Sequence, residues 1–285
     1  MTRRVALLGN PLKRRHSQVM HDAAFDAAGI DARYILMELE VDAVEAAVVA
    51  ARGQEWLGLG VTAPYKPVVA GLVDEVEPDA RAIGAVNNVL RTDDGRLIGF
   101  NSDAPGFRGG VEAAMGRSLD GLHVAVAGAG GAAHAVVYAC LTAGASRVTV
   151  ANRSLEAAQA LAAGFQAVRP GIVRAVPLHG DEFGTALVSA DLAVNATTVG
   201  MLHPGATIPV ELLPAHATVF DLVYVPPETP LLRAARERGL RSANGSEMLI
   251  RQAEIAFERW TGIGGMAEVM RAAVAPLLAD PTATA

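Results

Sequence analysis

The chain has one cysteine, Cys140, in 285 residues. No intramolecular disulfide can form, and a lone thiol fits a reducing compartment, so a cytoplasmic location is expected. Aromatic residues are scarce, at 5%, and Trp56 and Trp260 read as packing rather than as platforms for bases. Positive charge is also in short supply: 24 Lys and Arg stand against 30 Asp and Glu, a formal net charge of -6. That balance argues against a nucleic-acid partner. No long Leu-, Ile- or Phe-rich run is present. The longest apolar window, Leu122 to Ala145, is built from Ala, Gly and Val with His123 and His134 inside it, unlike a membrane span. The first apolar run, "VALLG", is too short for a secretory signal. Charged residues make up 19% and hydrophobic ones 51%, which excludes a disordered chain. The length predicts about two domains.

The first hundred residues alternate strand and helix. "RVALLG", "ARYILMEL" and "WLGLGVT" read as strands. "SQVMHDAAFDAAGI" has helical spacing and a stop at Gly29, and "DAVEAAVVAARG" reads as a helix capped by Asp42 and ended by Gly53. "NNVLRTDDGRLIGF" is a hairpin around Asp94-Gly95. From Leu122 the pattern becomes strand, glycine turn, helix, strand, with further strands at "LAVNAT" and "TVFDLVY". Two amphipathic helices close the chain, and the tail "ADPTATA" reads as frayed. The predicted fold class is α/β with two domains. The switch from hairpin to strand–helix–strand pattern puts a boundary near Asp103, and on periodicity alone the final helices could belong to either domain.

Gly128, Gly130 and Ala133 form G-x-G-x-x-A between a strand and a helix, the setting that gives this motif meaning. Gly128 serves the tight turn and Gly130 the close approach of a pyrophosphate, which meets the free amides of the helix start. Where an NAD site presents a carboxylate, at the end of the next strand, the chain has Asn152, Arg153 and Ser154. An arginine there suits a 2′-phosphate, so NADP is the expected cofactor, with NAD possible.

"GVTAPYK" and "GFNSDAPGF" each place an ionisable residue, Lys66 and Asp103, at the end of a strand, where ligands of α/β proteins bind. Moving a hydride from an alcohol needs a proton partner, and these two side chains qualify. The two stretches, with "GAVNNV", "GAGGAAHAV", "NATTVGM", "DLVYVPPETPLL" and "MLIRQAEIAFERWTG" in that order, resemble the shikimate dehydrogenase family over nearly the whole chain. The resemblance implies an N-terminal α/β substrate domain, residues 1–103, completed by C-terminal helices, 246–285, with a Rossmann-type NADP-binding domain, 104–245, between them. It implies reversible NADP-linked oxidation of a ring hydroxyl on a polyhydroxylated cyclic acid. It implies Lys66 and Asp103 as the catalytic pair, with Lys66 moving the proton and Asp103 orienting it, or the reverse. It implies Thr62, Asn87 and Gln252 as contacts of substrate hydroxyls, and Ser17 and Tyr224 as contacts near the carboxylate. Gly128, Gly130, Gly131, Ala132, Asn152, Arg153, Ser154 and Thr197 would hold the cofactor, with Met248 beside the nicotinamide. A monomer or homodimer is expected, with a small hydroxy acid as the partner molecule.

The chain departs from the family pattern in places. The motif S-x-S-P becomes Arg15-His16-Ser17-Gln18, which overlaps the basic run "KRRH". The asparagine before V-T is Gly60, which removes a donor and is expected to open space. The second basic residue of N-R-T-x-x-R is Ala157. Two readings follow. Arg15 pairs with a substrate carboxylate and shifts the preferred acid to quinate, an aminoshikimate or another, or it lies in solvent and Ser17 suffices. A further alternative is a non-catalytic NADP-binding regulatory homologue, against which stands the retention of Lys66, Asp103, Asn87 and Gln252. His16 and His21 lie five apart, not on one helical face, and no metal is expected. Cys140 reads as core. His134 stands near the phosphate turn, either exposed or touching phosphate.

Overall fold

The computed structural model describes residues 2–279, so the tail from 280 onward lies outside the described residues. The first element is β1 (Arg3–Gly9), followed by α1 (His16–Ala27), β2 (Ala32–Glu38), α2 (Val44–Ala50) and β3 (Trp56–Val61). Then come α3 (Lys66–Ala70), β4 (Glu75–Val76), α4 (Pro78–Ile83), and the hairpin β5 (Asn88–Arg91) and β6 (Leu97–Phe100). The six strands form one mixed sheet in the order β2-β1-β3-β5-β6-β4. β1 runs parallel to β2 and β3, and β5 runs antiparallel to both its neighbours. A central place explains why all of "WLGLGV" in β3 is buried, while β2 at the edge keeps Arg33 and Met37 in partial or full contact with water.

The predicted stop at Gly29 is realised with φ +66, and Ile30 N–H reaches the Phe25 carbonyl at 2.9 Å. That six-to-one closure satisfies a carbonyl left over at the helix end. Asp42 behaves otherwise than expected. It lies inside a 3-10 turn, Val41–Ala43, ahead of α2, and makes no capping bond. The tight turn already satisfies the Val44 amide, which a cap at Asp42 would have claimed, through the Val41 carbonyl. α2 ends at Ala50, before Gly53. In the hairpin, Gly95 takes φ +84, as the Asp-Gly signal required.

The second unit contains α5 (Asp103–Met115), β7 (His123–Ala127), α6 (Gly131–Thr142), β8 (Arg147–Asn152), α7 (Leu155–Gly164) and β9 (Val173–Pro177). It continues with α8 (Asp181–Val188), β10 (Leu192–Asn195), β11 (Thr218–Asp221), α9 (Pro230–Glu237) and β12 (Arg241–Asn244). All six strands are parallel, in the order β12-β11-β10-β7-β8-β9. This is the doubly wound dinucleotide-binding arrangement, whose strand order reverses between β7 and β10. Residues of β7, β10 and β11 are buried on both faces, as parallel strands covered by helices must be.

Two helices close the described chain, α10 (Ser246–Thr261) and α11 (Ala267–Ala279). Contacts divide the chain after Ser102 and again inside α10, between Leu249 and Ile250. The later turns of α10 belong to the N-terminal unit. Trp260 Nε1 donates to the Val89 carbonyl at 3.0 Å, Arg259 pairs with Glu77, and Phe257 is fully buried. Among the described residues, no helix is long and apolar enough to cross a membrane.

Candidate active site

In the second unit, Gly128 directly follows β7 and has φ +113. A Cβ there would lie 2.9 Å from the Ala196 carbonyl oxygen and 3.1 Å from Thr197 Cγ2. The loops after β7 and β10 therefore meet at the point where the strand order reverses, and only glycine fits between them. Gly130 and Gly131 are exposed, and a Cβ on either would meet nothing within 4 Å. They open α6, whose first-turn amides have no partners within the helix and favour an anion. Ala132 is half-buried beside them. Ala133 is fully buried and packs the helix against the sheet.

The Thr197 loop is held by a buried polar network. Thr197 Oγ1 donates to Asn195 Oδ1 at 2.7 Å and accepts from the Val199 amide at 3.1 Å. Asn195 Nδ2 donates to Asp221 Oδ1 at 2.8 Å, and Thr229 Oγ1 to Asp221 Oδ2 at 2.6 Å. Burial raises the Asp221 carboxyl above its ordinary range, against the pull of its three donors. Asn195, Asp221 and Thr229 were missed by sequence reasoning. Their signal is the strand-end position of two polar residues in otherwise apolar strands.

Beyond β8, Arg153 is exposed and, among the described residues, forms no ion pair. Asn152 Nδ2 donates to the Ser154 carbonyl at 3.0 Å, and Ser154 Oγ caps α7 by accepting from the Ala157 amide at 3.3 Å. His134 lies half-buried in the first turn of α6, with Nδ1 3.1 Å from the Gly130 carbonyl. Met248 is 8% exposed in the first turn of α10. A Cβ on Gly110 of α5 would sit 3.0 Å from its backbone nitrogen, so Gly110 sets how closely α5 packs there. An open glycine turn, free first-turn amides and an exposed guanidinium at the next strand end fit a dinucleotide carrying a 2′-phosphate. Asp103 begins α5 and is 6% exposed. Tyr224 follows β11 and is half-buried.

In the N-terminal unit the loops after β1 and β3 meet. A Cβ on Gly9 would lie 2.5 Å from Thr62 Cγ2, and Asn10 N–H donates to the Ala63 carbonyl at 3.2 Å. Thr62 is half-buried, and its amide donates to Leu8 at 2.9 Å. Tyr65, whose hydroxyl donates to the Leu39 carbonyl, fixes the backbone that introduces Lys66, the half-buried first residue of α3. Asn87 is 7% exposed. Its Oδ1 accepts from the Ser102 amide at 2.8 Å and from Asn88 Nδ2 at 2.9 Å, and its Nδ2 donates to Ser102 Oγ at 3.2 Å. Ser102 and Asn88, not singled out from sequence, thus fix which way the Asn87 amide is turned. Gln252 is half-buried in α10, and Ser17 half-buried at the start of α1.

The basic run separates into distinct environments. Lys13 and Arg15 are exposed, Arg14 is half-buried and His16 is buried. Arg15 Nε donates to Gln18 Oε1 at 3.0 Å, and Gln18 Nε2 donates to the Tyr34 carbonyl at 3.0 Å. The two departures from S-x-S-P are therefore bonded to each other. Gly60 does not open space as expected: a Cβ there would lie 2.5 Å from Tyr34 Oη, so the phenol already fills the volume. His21 is a core ring, stacked 4.6 Å from Tyr34 and tilted against Trp260 at 5.1 Å. Burial lowers its pKa to about 3. Cys140 is fully buried, and desolvation pushes its thiol up to about 12, which leaves it inert. Among the described residues, no group of three His, Cys, Asp or Glu is placed to hold a metal.

Residues 7–89 match the model of the shikimate dehydrogenase substrate binding domain. Residues 111–201 match shikimate / quinate 5-dehydrogenase, and 245–275 the shikimate 5'-dehydrogenase C-terminal domain. The NADP(+)-dependent shikimate dehydrogenase of Symbiobacterium thermophilum is 41% identical over 282 residues, covering 97% of this chain and 95% of that one. The chain belongs to the shikimate dehydrogenase family. Within the family, the Thermus thermophilus shikimate 5-dehydrogenase, solved with NADP(H) and shikimate, superposes with a TM-score of 0.83 at 38% identity, covering 95% of this chain and 99% of that one. The quinate dehydrogenase of Corynebacterium glutamicum, solved with NAD, gives a TM-score of 0.89 at 34% identity, covering 96% and 99%. Both shikimate and quinate enzymes of the family thus share this fold.

Proposed function

We propose that the protein is an NADP-dependent shikimate dehydrogenase, reversibly oxidising a ring hydroxyl of shikimate or a closely related cyclic acid in the cytoplasm. The observation that carries the reading is the Gly128 crevice followed by Arg153, joined to the "GVTAPYK" and "GFNSDAPGF" strand ends. NADP supplies the hydride acceptor when bound. Gly128, Gly130, Gly131 and Ala132 take its pyrophosphate, Asn152 and Arg153 its 2′-phosphoribose, and Thr197 and Met248 the remainder. Ser154, whose hydroxyl caps α7, contributes through the backbone it holds.

Lys66 exchanges the proton at the alcohol oxygen, and Asp103 accepts a hydrogen bond from the neighbouring hydroxyl. Thr62, Asn87 and Gln252 hold further ring hydroxyls, with the Asn87 amide turned by Ser102. The carboxylate end is rebuilt. Ser17 keeps one hydroxyl donor and Tyr224 a second. Arg15, tied through Nε to Gln18, has its terminal nitrogens left for a carboxylate, which favours an acid bound with a stronger charge-assisted grip. The chain works as a monomer or homodimer.

The test is nicotinamide reduction by purified protein with NADP or NAD and a panel of shikimate, quinate, aminoshikimate and simpler hydroxy acids. Turnover with shikimate or quinate is expected. Absence of turnover with every acid, while NADP still binds, overturns the enzyme reading. The Lys66→Ala variant should lose about 1,000-fold in kcat, within the usual span for a proton-transfer group, with NADP affinity unchanged.

A further inference from the structure

Tyr34 sits in β2 and Gly60 in β3, and neither is next to the other in the sheet. Their common neighbour is β1, where Tyr34 pairs with Val5 and Gly60 with Leu7. The phenol therefore crosses β1 diagonally, by two residues or roughly 6.6 Å, toward the carboxyl ends of the parallel strands. Ligands of open α/β sheets bind outside those ends. Gly60 lies two residues before Thr62, so both point to the same face of the strand as it leaves the sheet.

The tyrosine is held from every side but one. Its amide accepts no freedom, since it donates to Asp22 Oδ1 at 2.8 Å, and its carbonyl takes Gln18 Nε2 at 3.0 Å. Its ring is stacked on His21 and tilted against Trp260 at 6.2 Å. The side chain is 2% exposed, yet among the described residues its hydroxyl has no hydrogen-bond partner. Buried phenols are almost always bonded, because leaving the O–H dry is costly. A fixed hydroxyl with no protein partner, above a strand-end glycine, is a group prepared for a ligand.

We propose that Tyr34 is a specificity-determining residue of the acid site, its hydroxyl bonding a hydroxyl or carboxylate oxygen of the substrate beside Gly60. The inference deepens the shikimate dehydrogenase reading and rests on it. Gly60 is required because the phenol is there: its backbone is that of a regular strand, and a Cβ would lie 3.6 Å from Tyr34 Cζ, an ordinary contact, but 2.5 Å from Oη. Leu7 Cδ1, at 3.2 Å, is the other close atom and belongs to a flexible side chain.

Tyr34→Phe removes only the hydroxyl. One neutral hydrogen bond corresponds to about a 3- to 10-fold change, so KM for the preferred acid should rise by about that factor, with kcat and KM for NADP unchanged. Calorimetric titration of the same acid should show the same loss of affinity. Gly60→Ala should lower both the melting temperature and acid affinity, and Tyr34→Phe placed on top of it should restore the melting temperature. Equal KM in wild type and Tyr34→Phe for every acid in the panel overturns the proposal while leaving the enzyme reading intact. A wild-type chain inert toward the whole panel overturns the reading itself. Failure of Tyr34→Phe to rescue Gly60→Ala overturns the steric part, since the clash then lies elsewhere.

Discussion

Gly128 and Gly60 both lie at carboxyl-end positions of a parallel strand, and both exclude a side chain, for different reasons. At Gly128 the obstacle is main chain: the Ala196 carbonyl, together with a φ of +113 that other residues rarely adopt. At Gly60 the backbone is ordinary and the obstacle is the hydroxyl of one side chain. The nucleotide crevice is thus fixed by the path of the chain, while the space beside Gly60 is set by packed rings that a single substitution can rearrange. Such a division matches the tasks. A dinucleotide is a constant ligand met largely by backbone, whereas the identity of the acid depends on which side chains surround it.

The comparison predicts that damage at Gly128 cannot be repaired. Gly128→Ala should cost roughly 3 kcal/mol, combining left-handed strain with overpacking, and should weaken NADP by more than 10-fold. Thermal melting and cofactor titration read both. Removing the Thr197 methyl should not restore either; rescue by Thr197→Ser would erase the distinction between the two glycines.

The ring layer under Tyr34 gives a second way to sharpen it. In the fold, burial lowers the His21 pKa to about 3, from an ordinary 6.5. Between those values the unfolded chain binds a proton that the folded chain refuses, so stability is complete above pH 6.5 and falls as pH drops toward 3. The loss should reach about 2 kcal/mol by pH 5, at 1.36 kcal/mol per pH unit. His21→Phe keeps a stacked ring and removes Nδ1, a buried atom with no partner. Its urea stability should therefore decline less on acidification, and an unchanged pH slope would mean that another group governs it.

The smallest effect concerns cofactor choice. Arg153→Ala should weaken NADP by about 10-fold and leave NAD unaffected, because only the 2′-phosphate meets the guanidinium. Equal losses for both would place Arg153 on the shared part of the dinucleotide.

These differences also mark what could be read in advance. The nucleotide unit was legible because its constraints are local: a strand, a glycine turn and a helix start in one run of residues. The parallel order reversing at β7 and β10 follows from that same alternation. Lys66 and Asp103 stood out as charges at strand ends. The Tyr34–Gly60 pair was not legible, since nothing in "ARYILMEL" says that a phenol reaches across β1 to the strand beyond. From sequence Gly60 looked like a gap. Asp42 misled for a related reason, a 3-10 turn taking the amide that a cap would have claimed. The Asn195–Asp221–Thr229 network joins three segments, and its local trace is no more than two polar residues at the ends of apolar strands.

Trp260 donates to Val89 across 171 residues of chain. Chains emerge from the ribosome at about 5–20 residues per second, so Val89 waits roughly 10–30 s for its partner to be made. The Asp103–Leu249 segment is uninterrupted and is complete before Trp260 exists. The half of the protein synthesised first is thus the half finished last, and its uncovered ring layer is what a chaperone would meet during that interval.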